Sequence, residues 1–559
     1  MKQIEIKEGR ITFKSDITKS VAEEKSKQTN INNEKEKNPA SETQNSNLEN
    51  VLSELKISGR YHMRFLLLIS FLSFITSGFP INYIFSAENV DYRCKYSNCK
   101  HTELTILNAN STIDQKCHKY ELLDPNGTCT EDNFNKSSGV ECSEWIYDKP
   151  NSLVAEFNLG CKDWKRTLVG TTHSIGFMIG LLFMGPLSDR FGRKRVLIFN
   201  TLITGVIGIS KSMVTSYWLF IALEMLEPMI GDNYSTTYTM AVEMVTTETR
   251  PMIIFLLSAS GTMGDILMAF IAYLAPNWRM FLILLYTPAF VVILYIFWLD
   301  ESLRWLLIKG RKTEAEQIIR KAAKINNIVI EESKIVNLKS EDASSEKATL
   351  RHALHVTFSS KKLFIRLILC ICVWFTSLFN AYSLLINSVS LEGNKYVNFG
   401  LVSLSSTAAG AILLYVLTKF KRKAPLILCL TLTGVFCVSQ SFVPKGYRWL
   451  STLLYVCGKI NSSITIKMAY LYTTELFPTY TRNTMLALCS SLGRIGAILA
   501  PLTPLLFVYW SGLPSFLVGV LSLVTASIVT LMPDTSEDVL PDNVKQAEAI
   551  GIKDKKGIA

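Results

Sequence analysis

Residues 185–195 read Gly-Pro-Leu-Ser-Asp-Arg-Phe-Gly-Arg-Lys-Arg and join two long apolar stretches of the chain. A turn with so many charges between two segments long enough to cross a bilayer has to lie at a membrane face. Because cytoplasmic loops carry an excess of Lys and Arg, this turn predicts which face is cytoplasmic. Its glycines allow two helix ends to approach closely, and Asp189 has arginines within reach.

The charges of the chain are segregated along its length. The 559 residues are 48% hydrophobic and carry a net charge of +11. Residues 1–60 are rich in Lys, Glu, Asn and Ser, which predicts a disordered cytoplasmic N-terminal tail. A basic chain could bind nucleic acid, but here the Lys and Arg residues cluster in short loops between apolar segments. The pattern therefore predicts a lipid bilayer as partner and no nucleic acid.

Twelve apolar stretches are candidates for membrane helices, because a helix needs about 20 such residues to cross the hydrocarbon core. Helix 1 is predicted at 61–85, helices 2–6 within 164–299, and helices 7–12 within 363–532. The polar segment 300–362 is predicted to be a cytoplasmic loop with short helices, and 533–559 a cytoplasmic tail. The sequence thus predicts an all-α, multi-pass membrane protein with a six-plus-six architecture and both termini in the cytoplasm.

The hydrophilic segment 86–163 is predicted to be a large extracellular loop. Six cysteines suggest three disulfide bonds and hence the oxidising side of the membrane, although spacing alone does not choose the pairing. They are Cys94, Cys99, Cys117, Cys129, Cys142 and Cys161. The same loop holds glycosylation sequons at Asn110, Asn126 and Asn135, which supports this side.

Positively charged residues within the predicted helices are candidates for substrate binding. An ionisable group at mid-membrane costs about 2.5–3.5 kcal/mol, so each one needs a function or a partner. Arg494 on helix 11 carries a guanidinium fork that suits a carboxylate or a sulfate. Lys467 on helix 10 adds positive charge near the expected cavity. Either residue could instead form an ion pair with an acid on another helix.

Three acids on helix 4 are the opposing candidates. Glu224 and Glu227 lie three residues apart and share a helix face, and Asp232 follows. Two close carboxylates could bind a cation or relay a proton. The alternative, which we favour, is that they pair with Lys459, Lys467 or Arg494. For Asp265 on helix 5, pore lining and pairing are equally open, and His173 on helix 2 is expected to be a packed histidine.

Aromatic residues near the expected cavity complete the candidate substrate site. Aromatic faces hold flat or cationic organic solutes. The candidates are Trp374, Phe379 and Tyr382 on helix 7 and Tyr470 on helix 10.

Four segments resemble a known family of transporters. The turn at 185–195 resembles the loop between helices 2 and 3 of the major facilitator superfamily. The run 301–307, Glu-Ser-Leu-Arg-Trp-Leu-Leu, is similar to the segment after helix 6 in the organic cation/anion/carnitine transporters, solute carrier family 22. The run 472–479, Tyr-Thr-Thr-Glu-Leu-Phe-Pro-Thr, is similar to the end of helix 10 there, and the cysteine-rich loop is also typical. The resemblance covers about residues 60–545.

The resemblance implies a major facilitator fold and a cytoplasmic gate whose charged groups pair across the two halves. The gate residues that it implies are Asp189, Arg190, Gly192, Arg193, Glu243, Glu301, Arg304, Glu475 and Arg482. The position of Arg494 resembles one that is acidic in organic cation transporters and arginine in anion and carnitine transporters. The C-terminal counterpart of the turn, Lys-Phe-Lys-Arg-Lys at 419–423, lacks the Asp and the Gly.

Together these features predict a plasma-membrane, alternating-access transporter of small organic ions, with zwitterions or anions favoured over cations. An organic cation transporter, a sugar porter of the same superfamily and a non-transporting receptor or sensor remain alternatives. No Walker loop, Ser-His-Asp grouping or metal-ligand spacing is visible, so neither ATP, enzyme activity, cofactor nor metal is expected. A proton or a sodium ion is a candidate for a coupled ion.

Overall fold

The computed structural model describes residues 48–55, 58–95, 116–122, 134–231, 233–246, 248–336, 338, 357–444, 446–535, 541 and 544–550. Five of the predicted site residues lie outside these ranges: Cys99, Asn110, Asn126, Cys129 and Asp232.

The first half of the chain forms six consecutive helical stretches in the predicted order. Three of them change course within their length, at a 3₁₀ turn in helix 1, at Gly231 in helix 4 and at a 3₁₀ segment in helix 6. The bounds are helix 1, Arg60–Thr76 with Phe79–Ile81 and Tyr83–Ser86; helix 2, Asp163–Phe191; helix 3, Arg193–Met213; helix 4, Tyr217–Ile230 and Asn233–Glu243; helix 5, Arg250–Leu274; and helix 6, Trp278–Tyr286, Thr287–Leu294 and Tyr295–Trp298.

The second half repeats this arrangement. Its fifth helix ends in a 3₁₀ segment whose second residue is a proline, as is the second residue of the 3₁₀ segment within helix 6; proline has no amide hydrogen to donate. The bounds are helix 7, Lys361–Ile386 with Asn387–Ser390; helix 8, Lys395–Lys419; helix 9, Lys423–Ser441; helix 10, Arg448–Leu476; helix 11, Thr479–Leu499 with Ala500–Val508; and helix 12, Leu513–Thr530.

Ten helices of the described residues are long and apolar enough to cross a membrane. The predicted spans that are not among them are helix 4 and helix 10, which hold the same place in the two halves. The first piece of helix 4 has only 14 residues, and helix 10 carries Lys459 and Lys467 within its length. Polarity is therefore concentrated in the fourth helix of each half, where the candidate site residues lie.

Close packing of helix 2 on helix 4 depends on two glycines. A Cβ atom at Gly176 would collide with the carbonyl oxygen of Met225, and one at Gly180 would lie 2.6 Å from that of Met229. Small residues let neighbouring membrane helices approach to backbone contact. This contact places the polar face of helix 2 directly against the acids of helix 4.

The predicted loop forms two small antiparallel sheets, which an all-α fold class did not include. Strand β1, Tyr92–Cys94, pairs with β4, Trp145–Tyr147, and β2, His118–Leu122, pairs with β3, Phe134–Glu141. Disulfide bonds join Cys94 to Cys142 and Cys117 to Cys161, which selects a pairing that spacing left open. Asn135 lies on β3 and is half-buried. We call the side of the bundle that carries these sheets the disulfide end.

An arginine clamp ties the loop to helices 3 and 6. The Arg279 Nε atom donates to Glu156 at 3.1 Å, and its terminal nitrogens donate to the backbone carbonyls of Ser212 and Val214. The indole of Trp278 also donates to Glu156, at 2.8 Å. The hydrogen bonds from Arg279 hold the pKa of Glu156 below its usual range.

The described residues 48–55, 58–62, 306–336 and 338 belong to a separate compact unit. Its helices are residues 48–54, Lys312–Asn326 and Glu332–Val336. The side chains of Leu48, Val51, Leu52 and Leu55 are buried, so the end of the predicted disordered tail is ordered helix. The average composition of residues 1–60 did not indicate this short helix, although its apolar residues recur with the period of one helix face.

The glycine contact between helices 2 and 4 gives a first prediction. Replacing Gly176 with Ala should destabilise the protein by about 1–3 kcal/mol, because an added methyl group overpacks a backbone contact. Gly185 is the matched control on the same helix, since a Cβ there meets no atom within 4 Å. Melting of the detergent-solubilised chain, followed by size-exclusion chromatography, should show a loss for Gly176→Ala only; equal melting curves would contradict the packing.

The arginine clamp gives a prediction about pH. The pKa of Glu156 is lowered in the folded protein, so its stabilisation is present above the unfolded pKa and is lost as pH falls through the folded pKa. Glu156→Gln should therefore melt lower than the wild type at pH 7 and lose less stability between pH 7 and pH 4. Glu141→Gln, at an exposed residue of the same loop, should leave the wild-type pH dependence intact.

Candidate functional site

A buried ion cluster lies between helices 3 and 4. The Lys211 Nζ atom is 2.8 Å from Glu224 Oε2 and 3.0 Å from Glu227 Oε2. Tyr286 of helix 6 accepts a third hydrogen bond from the same ammonium at 3.3 Å. All three charged side chains are at most 2% exposed. A buried pair of this kind holds its partners tightly, because separating them would leave an uncompensated charge.

Two more helices contribute polar groups to this cluster. His173 Nδ1 on helix 2 lies 2.8 Å from Glu224 Oε1, and 3.7 Å from Glu227 Oε2. The Asn82 amide, which follows the 3₁₀ turn of helix 1, donates to Glu224 Oε1 at 3.3 Å. Helices 1, 2, 3, 4 and 6 thus meet around the two carboxylates. His173, expected to be only a packed side chain, is a partner of Glu224.

The cluster does not fit a metal ion. The ligand atoms of His173, Glu224 and Glu227 lie within 4.8 Å of one another, as a metal would require. However, the Lys211 ammonium bonds to both carboxylates and already supplies a positive charge between them. The same argument applies to an organic cation, which would have to displace Lys211.

Pairing was the favoured interpretation of the helix 4 acids, but the partner is different from those expected. The sequence interpretation named Lys459, Lys467 and Arg494, whereas the structure brings Lys211 to Glu224 and Glu227. Lys211 was detectable from the sequence, because it is an ionisable residue within the predicted helix 3.

Arg494 lies at the interface of the two halves. Its guanidinium carbon is 4.6 Å from the ring centroid of Phe177 on helix 2, at cation–π distance. It has no acidic partner among the residues that the structure describes, and its Nε atom is buried without a hydrogen bond there. On the same helix, Gly493 and Gly496 pack directly on helix 7. The tight packing holds Arg494 in a fixed position facing helix 2.

The two lysines of helix 10 differ in their surroundings. Lys459 is buried, donates to the Ala381 carbonyl at 2.6 Å and interacts electrostatically with Asp265. Lys467 is half-buried, donates to the Ser406 carbonyl at 3.3 Å and makes no ion pair within the described part of the chain.

The predicted aromatic residues divide into packed and accessible side chains. Trp374 is fully buried and donates to Thr473 at 2.9 Å, and Phe379 is also buried. The ring centroids of Tyr470 and Trp374 are 4.4 Å apart in an edge-to-face contact, yet the Tyr470 side chain is 45% exposed. Tyr382 is half-buried. The accessible aromatic candidates are therefore Tyr470 and Tyr382.

Two tyrosines of helix 4 belong to the same region and were missed. Tyr234 and Tyr238 stack with ring centroids 6.4 Å apart. They lie four residues apart on the second piece of helix 4, a spacing that places them on one face. They form an aromatic surface on the N-terminal half.

Ion pairs within the N-terminal half hold the charged turn after helix 2 in place. Arg193 bonds to Asp189 at 2.6 Å and to Glu243, at the end of helix 4, at 3.1 Å. Gly192 has φ +105°, and a Cβ there would lie 2.5 Å from the Glu301 carboxylate, which accepts from the Lys194 amide. Only glycine fits this conformation and this approach.

The C-terminal half contains an equivalent pair. Arg422 donates to Glu475 Oε1 at 3.2 Å, and Thr535 donates to the other oxygen of the carboxylate. The described ion pairs of Asp189, Arg193 and Glu475 thus lie within their own half, and the pairing of gate charges across the halves that the resemblance implies stays a prediction. Arg190 is exposed beside the Phe191 ring, and Arg304 and Arg482 are half-buried.

Comparison with known proteins identifies the family. The sequence profile of the Major Facilitator Superfamily matches residues 163–501. The chain belongs to the major facilitator superfamily. It is a multi-pass membrane protein and a transporter of that superfamily.

The relatives confirm the resemblance to solute carrier family 22. The chain is 28% identical to solute carrier family 22 member 1 of Bos taurus, over 91% of this chain and 94% of the relative. It is 29% identical to organic cation/carnitine transporter 2 of Mus musculus, over 86% of this chain and 90% of the relative. An inward-open xylose transporter of E. coli has the same fold, with a TM-score of 0.55 and 14% identity over 87% of this chain and 99% of the transporter.

The ion cluster gives a stability prediction for this transporter. Lys211→Met should cost roughly 3–5 kcal/mol, because it leaves two buried carboxylates without their cation. Lys467→Met is the matched control on another helix, since no acid among the described residues depends on it. Thermal unfolding of the two purified variants should separate them clearly; equal losses would show that Lys211 does not neutralise the helix 4 acids.

Proposed function

We propose that this transporter carries small organic anions or zwitterions, and that Arg494 binds the carboxylate. The proposal rests on the observation that the acids of helix 4 have a charged partner whereas Arg494 has none among the described residues. Glu224 and Glu227 are already paired with Lys211, whereas Arg494 has no acid among the described residues. A solute that brings its own negative charge would compensate Arg494 and leave the cluster intact.

The position of Arg494 suits a site that both halves share. It lies on helix 11 of the C-terminal half and contacts Phe177 of the N-terminal half. In transporters of this kind the halves rock around a central site, so a residue at their interface is exposed to each side in turn. Lys467 would add positive charge, and the tyrosines Tyr234, Tyr238 and Tyr470 would contact the apolar or quaternary part of a solute.

Contacts between the halves support an inward-facing state. At the disulfide end, Phe85 of the N-terminal half stacks on Tyr396 and also packs against Phe399 of the C-terminal half. Glu88 forms an ion pair with Lys395 nearby. If the disulfide end is extracellular, as its oxidised cysteines favour, these contacts join the two halves on the outer side, beside the cavity that Glu88 and Lys395 line. The protein would then lie in the plasma membrane with both termini in the cytoplasm.

We propose that the nine gate residues lie at the end opposite the disulfide end. Their ion pairs within each half would stabilise that half. Arg193 with Glu243, and Arg422 with Glu475, would each fasten one half so that it moves as a rigid body.

Uptake by cells that express the full chain tests this function. Labelled L-carnitine should enter as a zwitterion and benzoate as an anion, whereas tetraethylammonium should not. Arg494→Ala should lower kcat/KM for both carboxylates by about 10- to 100-fold, because a hydrogen bond to a charged group contributes about 1.5–3 kcal/mol. Arg448→Ala, at an exposed residue of helix 10, is the matched control.

The same screen decides between the alternatives. Uptake of tetraethylammonium that survives Arg494→Ala would favour an organic cation transporter, the activity that gives the 28% identical Drosophila melanogaster relative its name. Xylose uptake would favour a sugar porter. If none of the solutes enters, the anion or zwitterion proposal fails and a non-transporting role gains support.

A further inference from the structure

The buried ion cluster carries more negative than positive charge. Glu224 and Glu227 contribute two carboxylates, and Lys211 supplies one ammonium. With a neutral His173 the cluster therefore has a net charge of one negative unit, in a site with almost no solvent exposure. Burying an uncompensated charge is costly, so the cluster favours the gain of one positive charge.

The hydrogen bonding of His173 allows its ring to gain that positive charge. Its Nδ1 atom lies 2.8 Å from a carboxylate oxygen of Glu224, and an ionised carboxylate can only accept a hydrogen bond. Nδ1 must therefore carry a hydrogen, which leaves the lone pair of the neutral ring on Nε2. That Nε2 atom is buried and has no hydrogen-bond partner among the described residues. Nothing in the cluster as described uses this lone pair.

The groups around His173 from every packed helix are consistent with this role. Helix 4 presents Glu224 and Glu227, helix 3 presents Lys211, and helix 6 presents Tyr286, which bonds to that lysine. Helix 1 adds Tyr83, whose ring centroid is 5.5 Å from that of His173. The other helix 1 group, Asn82, bonds to Glu224 and is uncharged.

A cavity at the disulfide end comes close to this histidine. The cavity has a volume of about 710 Å³, and its lining includes Tyr83, Gly170, Arg166, Lys395 and Val508. Gly170 lies about one helical turn before His173, and the ring centroid of Tyr83 is 5.5 Å from that of His173. Tyr83 therefore contacts both the cavity and the histidine ring.

We propose that His173 is a proton-binding site, loaded at Nε2 from the cavity at the disulfide end and coupled to solute movement in the same direction. A proton from water adds to the Nε2 lone pair while the Nδ1 hydrogen bond to Glu224 stays in place. The imidazolium and Lys211 then balance both carboxylates. Histidine suits the task because it is the side chain that changes charge between pH 5 and pH 8.

The cluster can pass this change to the interface between the halves. Tyr83 belongs to the buried apolar cluster against which Tyr382 of helix 7 packs. A Cβ at Gly170 would lie 2.9 Å from Pro501 of helix 11, so helix 2 touches the C-terminal half one turn from His173. The coupling, though not the proton site itself, rests on the transport function proposed above.

The first test measures the proton site without any solute. The full chain in lipid nanodiscs, labelled with ¹⁵N-histidine, would be titrated by NMR between pH 5 and pH 8. To assign the signal, one variant keeps His173 and replaces the other histidines, which are His62, His101, His118, His352 and His355. We expect Nδ1 to stay protonated throughout and Nε2 to gain a proton as pH falls. A ring that keeps one form across this range overturns the proposal.

The second test measures coupling in proteoliposomes with the membrane potential held at zero. An acidic outer solution should raise the steady-state accumulation of labelled L-carnitine by up to about tenfold per unit of pH difference, the limit for one proton per solute. His173→Asn, which keeps a donor near the Nδ1 position, should lose this response. His118→Asn, at an exposed histidine of the loop, should retain it.

The two tests separate failure of the site from failure of the proposed function. A pH response that persists in His173→Asn overturns the coupling role of this residue. If L-carnitine does not enter under any condition, the zwitterion part of the proposed function fails, and the NMR titration alone decides whether His173 binds a proton.

Discussion

The ion pairs from Lys211 to Glu224 and Glu227 are the interaction on which the N-terminal half depends. Helices 3 and 4 contribute the charges, helices 1, 2 and 6 contribute polar groups, and all of them lie where water is excluded. Neither carboxylate could remain ionised there without the ammonium. This requirement fixes the rotation of helix 4, and the glycine contact with helix 2 fixes its distance.

The same cluster changes how charge selectivity is read. From the sequence, the acids of helix 4 and the arginine of helix 11 were competing arguments for cations and for anions. In the structure both acids are paired with Lys211 within their own half, while Arg494 lies between the halves without an acid among the described residues. Counting ionisable residues in membrane helices is therefore less informative than finding which of them are paired.

Much of the fold was predictable, because membrane helices and the turn at 185–195 depend on local composition. The order of the helices and the family both followed from such local patterns. The partner of the helix 4 acids was not predictable, because the sequence does not show which neighbouring helix faces them. Lys211 lies only 13 residues from Glu224 in sequence but on a different helix. The helix at residues 48–54 was missed for a different reason: four well-spaced leucine and valine residues are lost in a composition averaged over sixty residues. At 419–423 the loss of Asp and Gly suggested a weakened turn, yet the ion pair to Glu475 survives because it needs only Arg422.

The arginine clamp determines which part of the molecule the disulfide-bonded loop moves with. Arg279 holds the loop to the ends of helices 3 and 6, and the disulfide from Cys117 reaches Cys161, two residues before helix 2. All of these attachments belong to the N-terminal half, and Glu88 with Lys395 is the described ion pair that joins this region to the other half. The described part of the loop is thus attached to one half, and a large molecule bound there would move with that half through the transport cycle instead of holding the two halves together.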